Sequence, residues 1–305
     1  MSSRTDSRAT KSVASAVTNP WGKPRWLPAV TALYVLWSII PVGVAVLFSF
    51  NAGRSRSAWQ GFSTRWYVGE PAAAESVLYD QSLRFALAQS LRLAALTMLV
   101  ATPIGVALAI GLARWRGRGS KSSNLLMLFP LVTPEIVMGV ALFLVFSTVF
   151  GFIPFGTAAQ FLGHVTFSIS FVVIIVRGRL FAIGRDYEEA AMDLGASPWQ
   201  AMTRVLLPLL TPALISSFAI VFALSIDDFV ISQFLVAGAE TVTIPVRLYS
   251  GARLAPPPSL NALATVLMVI TIGAIVIAGL AFKWLGKRFG DGDDSALESV
   301  GRIEI

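Results

Sequence analysis

The sequence predicts an all-α, polytopic membrane protein with six transmembrane helices and with both termini in the cytoplasm. Hydrophobic residues make up 55% of the 305 residues, charged residues only 13%, and the mean hydropathy is +0.71. Soluble domains carry roughly 25% charged residues, about twice this share. The apolar residues also form long uninterrupted runs, which is typical of segments that lie in hydrocarbon. These observations exclude a conventional soluble enzyme and a disordered regulator.

Six apolar segments are long enough to span a membrane. The hydrocarbon core is about 30 Å thick, so a helix with a rise of 1.5 Å per residue needs roughly 20 residues to cross it. The second segment is longer than a perpendicular span requires, and Arg84 and Arg92 place its first turns at the interface. The predicted spans are residues 27–50, 84–113, 124–147, 160–182, 208–235 and 260–285.

The distribution of Lys and Arg predicts the orientation of the chain, because cytoplasmic loops retain cationic residues. Seventeen of the 24 lie in the N-terminal tail, in the loops that follow the second and fourth spans, and in the C-terminal tail. The other seven lie on the opposite side or in the first turns of the second span. We therefore expect cytoplasmic tails at residues 1–26 and 286–305 and one transmembrane domain at residues 27–285.

Composition excludes several kinds of site. The chain has no cysteine, so disulfides, thiolate metal sites and thiol nucleophiles are excluded. The net charge is +7, but the Lys and Arg residues are sorted by membrane side. We therefore expect no nucleic acid partner. His164 is the one histidine; a lone imidazole cannot form a metal site, and we expect a hydrogen bond at the start of the fourth span. No phosphate-binding loop of the G-x4-G-K-S/T type is present in the sequence.

The loop between the fourth and fifth spans, residues 185–207, has the most distinctive pattern. Three acidic residues within 186–189 suit the positive end of a helix N-terminus. Gly195 provides the left-handed conformation that ends a helix. Ser197 and Gln200, with a proline directly after the serine, predict a capping box that starts a second helix. The sequence therefore predicts two short helices on the cytoplasmic face.

Fixed positions in this loop match a known motif. Glu189-Ala190-Ala191 is followed after three residues by Gly195, after nine more by Val205, and after one more by Leu207-Pro208. This spacing resembles the EAA coupling loop of importer-type ABC transporter permeases, E-A-A-x3-G-x9-I-x-L-P, with valine for isoleucine as the one departure. The two alanines and Leu194 would be free to pack against a partner. An amphipathic loop that lies on the membrane surface is the alternative interpretation.

The resemblance implies a permease of the type I ABC importer fold in the inner membrane of a bacterium. In that family the first short helix of the loop fits a cleft on a separate ATPase subunit and transmits its closure to the pore. The implied partners are a second permease subunit in a heterodimer, two copies of the ATPase, an extracytoplasmic substrate-binding protein and membrane lipid. ATP and Mg would be bound by the ATPase, no cofactor by this chain, and the chain would be a transport subunit rather than an enzyme.

Further segments, spread over roughly residues 62–285, resemble the spermidine/putrescine permease subfamily. They are residues 62–67 (FSTRWY), 134–139 (PEIVMG), 163–167 (GHVTF), 225–230 (SIDDFV) and 261–265 (NALAT). This resemblance implies a polyamine as the transported solute. Similar sequences also serve opines, phosphonates, thiamine or iron, and these substrates stay open as alternatives.

Three acidic residues in the predicted spans are candidates for the substrate pathway, because ionisable groups in a span are costly and usually face a bundle interior or a water-filled path. Glu135 follows a proline near the middle of the third span. Asp227 and Asp228 lie roughly 30 Å along the fifth span. A continuous helix would place Asp228 on one face with Ser225 and Ser232 and would turn Asp227 about 100° away. Asp228 is therefore the preferred pathway residue of the pair.

No Lys or Arg lies deep in any predicted span, so a transported cation is the natural complement of these acids. Structural hydrogen bonds or a helix end are alternative roles for the individual acids. An ion-coupled secondary transporter is the alternative from another class, because intramembrane acids also relay protons, but it would not need the coupling loop. An aspartyl protease is disfavoured, since consecutive aspartates on one helix diverge.

Overall fold

The computed structural model describes residues 26–55, 58–69, 76–115, 117–253 and 258–289. The predicted cytoplasmic tails fall outside this part of the chain, apart from the few residues nearest the first and last helices. The described residues form eleven α-helices. Their bounds are α1 Trp26–Ser49, α2 Gln81–Arg114, α3 Ser120–Val132, α4 Glu135–Leu144, α5 Thr157–Ile183, α6 Asp186–Asp193, α7 Pro198–Ala201, α8 Leu207–Asp227, α9 Val230–Phe234, α10 Ile244–Arg253 and α11 Pro258–Phe289.

Three short turns of other helical types connect these elements. A π-helical turn at Val145–Val149 follows α4, a second at Met202–Leu206 joins α7 to α8, and a 3-10 turn at Ala239–Thr241 follows α9. Because of the second turn, α7 and α8 form one helical run, Pro198–Asp227. The all-α prediction is confirmed by these elements.

Five helical runs are long and apolar enough to cross a membrane, and a bent pair of helices brings the number to six if the pair counts as one span. The five runs are Trp26–Ser49, Gln81–Arg114, Thr157–Ile183, Pro198–Asp227 and Pro258–Trp284. They confirm a protein with multiple transmembrane helices.

The predicted third span, residues 124–147, is not one straight helix. The helices α3 and α4 meet at a break where the chain bends by 106°. Thr133 has an extended backbone (ψ 129°), and Pro134 follows it. Proline has no N–H and disfavours the helical conformation of the residue before it, so the sequence itself ends α3 at this point. Glu135 is consequently the first residue of a helix rather than an interior one.

The helical run that contains the predicted fifth span, residues 208–235, differs from the prediction at both ends. The helical run begins at Pro198, because the capping box starts a helix that the π-helical turn carries into the span. The run ends at Asp227, because Asp228 has an extended backbone (ψ 122°). The short helix α9 follows as a separate element.

The described residues divide into two units at Ala45, within α1. The first holds the apolar helix up to that residue. In the second, α2 packs against α5 and α8. The core between these three helices includes Ala101, Val106, Val172, Val176, Leu206, Leu210 and Val221.

Two further cores lie in the second unit. One joins Trp66, Leu83, Ile226, Ile244 and Leu263 from the segment before α2 and from α2, α8, α10 and α11. The other joins Met138, Ala159, Ile231 and Leu235 from α4, α5 and the region of α9. This last core places the break after α3 and the break after α8 in one region of the molecule.

Candidate functional site

The predicted coupling loop, residues 185–207, folds as the two short helices that its sequence indicates. The first, α6, ends in a Schellman motif. Gly195 has a φ of +88°, its N–H donates to Met192 O at 2.9 Å, and Ala196 N–H donates to Ala191 O at 3.0 Å. A residue with a side chain rarely adopts this φ, so the glycine is required by the backbone conformation.

The second helix starts with a complete capping box. Gln200 N–H donates to Ser197 Oγ at 3.3 Å, and Ser197 N–H donates to Gln200 Oε1 at 2.9 Å. Pro198 occupies the first helical position, where its missing N–H leaves no bond unmade. Gly195 and this box fix the relative direction of α6 and α7 through local bonds alone.

The loop presents an apolar tip beside acidic residues. Leu194 is 90% exposed, and Glu189, Ala190 and Gly195 are also exposed. Ala191 is half-buried, as are Leu207 and Pro208 in the first turn of α8. A shallow cleft of about 250 Å³ lies against the loop, lined by Arg114, Arg185, Glu188, Glu189, Met192 and Pro198.

An ion pair ties the loop to a transmembrane helix. Arg114, the last residue of α2, donates from Nη2 to Glu188 Oε2 on α6. Because the pair is partly exposed to solvent, its stabilising free energy is at most about 1 kcal/mol. The loop is therefore attached to the bundle at α2 as well as through its covalent continuation into α8.

The second group of predicted residues surrounds the break after α8. The Asp228 side chain is 7% exposed. Its carboxylate accepts from Ser232 N–H at 2.8 Å and from Ile231 N–H at 3.4 Å, which caps the start of α9. Asp227, in contrast, is exposed. The preference for Asp228 as the pathway residue relied on one continuous helix, and that premise is wrong.

His164, on α5, connects the groups around this break. Its Nδ1 lies 2.7 Å from Ser225 Oγ, and its Nε2 lies 3.1 Å from both Ser232 Oγ and Asp228 Oδ2. The imidazole is buried, as are Ser225 and Ser232. Both ring nitrogens are therefore occupied, and the expected hydrogen bond of His164 is confirmed. Ser225, Asp228 and Ser232 come together here around the His164 imidazole.

A second buried polar network adjoins this cluster. Gln160, one turn before His164, donates from Nε2 to Ser232 O and to Thr241 O, each at 3.0 Å. Gln89 on α2 donates to Gln160 Oε1 at 2.8 Å. Sequence reasoning missed both glutamines; the one available signal was an uncharged polar side chain inside a long apolar segment, and many such side chains occur in this chain.

Glu135 lies near the same break. It is the exposed first residue of α4. The helix α4 packs closely against α9, because a Cβ added at Gly139 would lie 2.6 Å from the Phe234 ring. Two helix breaks therefore meet, with exposed carboxylates at Glu135 and Asp227. No group of three potential metal ligands occurs among the described residues.

Comparison with known proteins identifies the family. Residues 101–291 match the family model described as the inner membrane component of binding-protein-dependent transport systems. The putrescine transport system permease protein PotI of Escherichia coli K12 is 35% identical over 277 residues, which cover 89% of this chain and 92% of PotI. The spermidine/putrescine transport system permease protein PotC of the same strain is 34% identical over 250 residues, covering 82% of this chain and 90% of PotC.

A solved structure supports the same fold. A chain of a bacterial ABC transporter involved in the import of alginate superposes with a TM-score of 0.67 at 17% identity, covering 90% of this chain and 98% of that chain. At this identity the likeness concerns the fold alone, and it is the fold of an ABC importer permease. Together with the apolar helical runs, these matches show that the chain belongs to the family of multi-pass inner membrane components of binding-protein-dependent transport systems.

Proposed function

We propose that this chain is the permease subunit of an ATP-driven importer that carries a small cationic solute, a polyamine such as putrescine or spermidine, into the cytoplasm. Its partners would be a second permease in a heterodimer, two copies of an ABC ATPase and an extracytoplasmic substrate-binding protein. The similarity to the putrescine permease PotI and to the spermidine/putrescine permease PotC supports the choice of solute. The ATPase would bind ATP and Mg, and this chain would bind no cofactor.

The observation that carries the choice of a cation is the pair of exposed carboxylates at the two helix breaks. Asp228 is already satisfied by His164 and by backbone N–H groups. Glu135 and Asp227 make no ion pair within the described part of the chain, and both are exposed at breaks whose neighbouring helices, α4 and α9, pack together. Two neighbouring negative charges in a transmembrane region favour a ligand with two or more positive charges.

The coupling loop would provide the contact with the ATPase. The exposed tip with Glu189, Ala190, Leu194 and Gly195 has the apolar and acidic character expected of a docking helix. Ala191 would support the tip from its half-buried position. Leu207 and Pro208 would lie behind it, where the loop becomes α8.

The path of mechanical coupling follows the helical run from the loop to the break. The run Pro198–Asp227 has 30 residues, which at 1.5 Å per residue is roughly 45 Å. One end is the second helix of the coupling loop, and the other end is Asp227. Closure of the ATPase would move α6, the Schellman turn would pass this movement to α7, and the helical run would displace Asp227 relative to Glu135.

The test is uptake of labelled putrescine by proteoliposomes that contain the assembled importer and its binding protein. We expect uptake that requires ATP, and we expect Asp227→Asn and Glu135→Gln each to raise KM about tenfold, the scale of one lost charge-assisted contact. Glu240→Gln removes another exposed carboxylate, on the turn after α9, and serves as the control. Uptake that an ion gradient drives without ATP, or ATP-driven uptake of another solute but not of polyamines, would contradict the proposal.

A further inference from the structure

A buried cluster of hydrogen-bonded side chains surrounds His164 at the break after α8. We propose that His164 is a positioning residue for transport: it holds Asp228, Ser225 and Ser232 at the break after α8, so that Asp227, and not Asp228, presents its carboxylate to the transported cation. This inference rests on the proposed function, since it names the acid of the pair that meets the solute and the residue that selects it.

Breaking a helix within a membrane costs free energy. Lipid offers no hydrogen bonds, so the backbone groups that a break frees need partners within the protein. At this break Asp228 accepts from the N–H groups of Ile231 and Ser232, and Gln160 donates to Ser232 O. The backbone around α9 is thus satisfied by side chains, which identifies the break as a built feature of the fold.

Asp228 has little capacity left for a ligand. Its carboxylate has three donors or donor candidates: two backbone N–H groups and the His164 imidazole at 3.1 Å from Oδ2. Its side chain is also 7% exposed. A cation would have to displace His164 and uncap α9 to reach it.

His164 bridges the break after α8. Its Nδ1 faces Ser225 near the end of α8, whereas its Nε2 faces Asp228 and the Ser232 hydroxyl on α9. The imidazole therefore holds the last turn of α8 and the first turn of α9 at a fixed separation. Asp227 lies between Ser225 and Asp228 in the chain and is exposed, so its orientation depends on this bridge.

The first experiment measures putrescine uptake by the assembled importer. We expect His164→Leu to raise KM about tenfold, because the carboxylate of Asp227 is no longer held in place. His164→Gln, which retains one donor and one acceptor, should lose less. Ser225→Ala should resemble a weak form of His164→Leu. Its matched control is Ser217→Ala on the same helix, because the buried Ser217 hydroxyl makes no hydrogen bond among the described residues.

A double substitution separates positioning from a general structural role. Asp227→Asn should raise KM about tenfold in the native background but less than twofold in the His164→Leu background, since the acid is already misplaced there. If Asp227→Asn raises KM equally in both backgrounds, or does not raise it in the native chain, the proposal is overturned. The amount of assembled complex, measured by gel filtration, is compared for all variants so that KM is read only from intact importer.

The second experiment does not depend on the identity of the solute. The chain has no cysteine, so Asp227→Cys and Asp228→Cys each introduce the one thiol of this subunit. With a cationic methanethiosulfonate reagent, the thiol at 227 should react at least tenfold faster than the thiol at 228, and His164→Leu should reduce the difference. Equal reactivity in the native background would overturn the inference. If the two thiols react unequally but the assembled importer with the native chain takes up no putrescine, the result would support an accessible position 227 and a buried position 228. It would contradict the polyamine proposal instead.

Discussion

Replacing Gly195 by valine tests whether the geometry of the coupling loop drives transport. The φ of Gly195 is +88°, and a Cβ added there would meet no atom within 4 Å. Steric conflict is therefore not the cause of any defect. The cost is that of a left-handed backbone for a residue with a side chain, about 1–2 kcal/mol and more for a β-branched residue. Since about 1.4 kcal/mol is a factor of ten, the equilibrium constant for forming the turn should fall roughly 5- to 30-fold.

If only the intact turn transmits ATPase closure, ATP-driven uptake by the reconstituted Gly195→Val importer should fall by about tenfold, while insertion of the chain in the membrane persists. Gly195→Asn should retain most of the activity, because asparagine tolerates the left-handed region. The control is Gly279→Val in α11. The added Cβ has no neighbour within 4 Å there either, but the glycine does not have a left-handed φ. Uptake by Gly195→Val within twofold of Gly195→Asn would refute the reasoning.

Three further predictions concern residues that pack or pair. Leu194→Asp should leave the folded chain intact, because Leu194 is 90% exposed, but should abolish co-purification of the ATPase; retention of the ATPase would remove this side chain from the docking surface. Gly163→Val should destabilise the permease by about 1–3 kcal/mol, since a Cβ there would lie 2.7 Å from Ile231 Cγ2; thermal unfolding in detergent, with an unchanged midpoint as the contrary result, measures this. Arg114→Ala should lower stability by less than about 1 kcal/mol, and an equal effect of Glu188→Ala with no further loss in the double variant would confirm that the ion pair is the cause.

The turns and caps that depend on neighbouring residues could be predicted residue by residue from the sequence. Gly195 and the Ser197–Gln200 capping box form bonds between residues three to five positions apart, so the sequence within one turn contains all the partners. Pro134 is a local signal as well, but helical periodicity predicts one continuous third span, whereas the chain bends there by 106°. The size of that bend depends on how α4 packs against α9, which lies far along the chain.

Local sequence signals could not decide which of the two adjacent aspartates, Asp227 or Asp228, is exposed. Asp227 and Asp228 are adjacent and chemically identical, and helical spacing favoured Asp228 for the pathway. The tertiary structure reverses their exposure, because His164 approaches Asp228 from a different helix. The contacts of His164 with Ser225 and Ser232 join residues 61 and 68 positions apart, and no periodicity within one segment contains such information.

The sequence by itself determined that this is a multi-pass α-helical membrane protein and that two short helices lie between residues 185 and 207, because hydrophobic burial in lipid and helix capping depend on composition and on neighbours within a few residues. Only the tertiary structure decided which carboxylates are exposed and which are satisfied. In a low-dielectric interior a buried charge needs specific donors. Those donors come from α5 and α9, and their meeting at Asp228 depends on how separate helices pack.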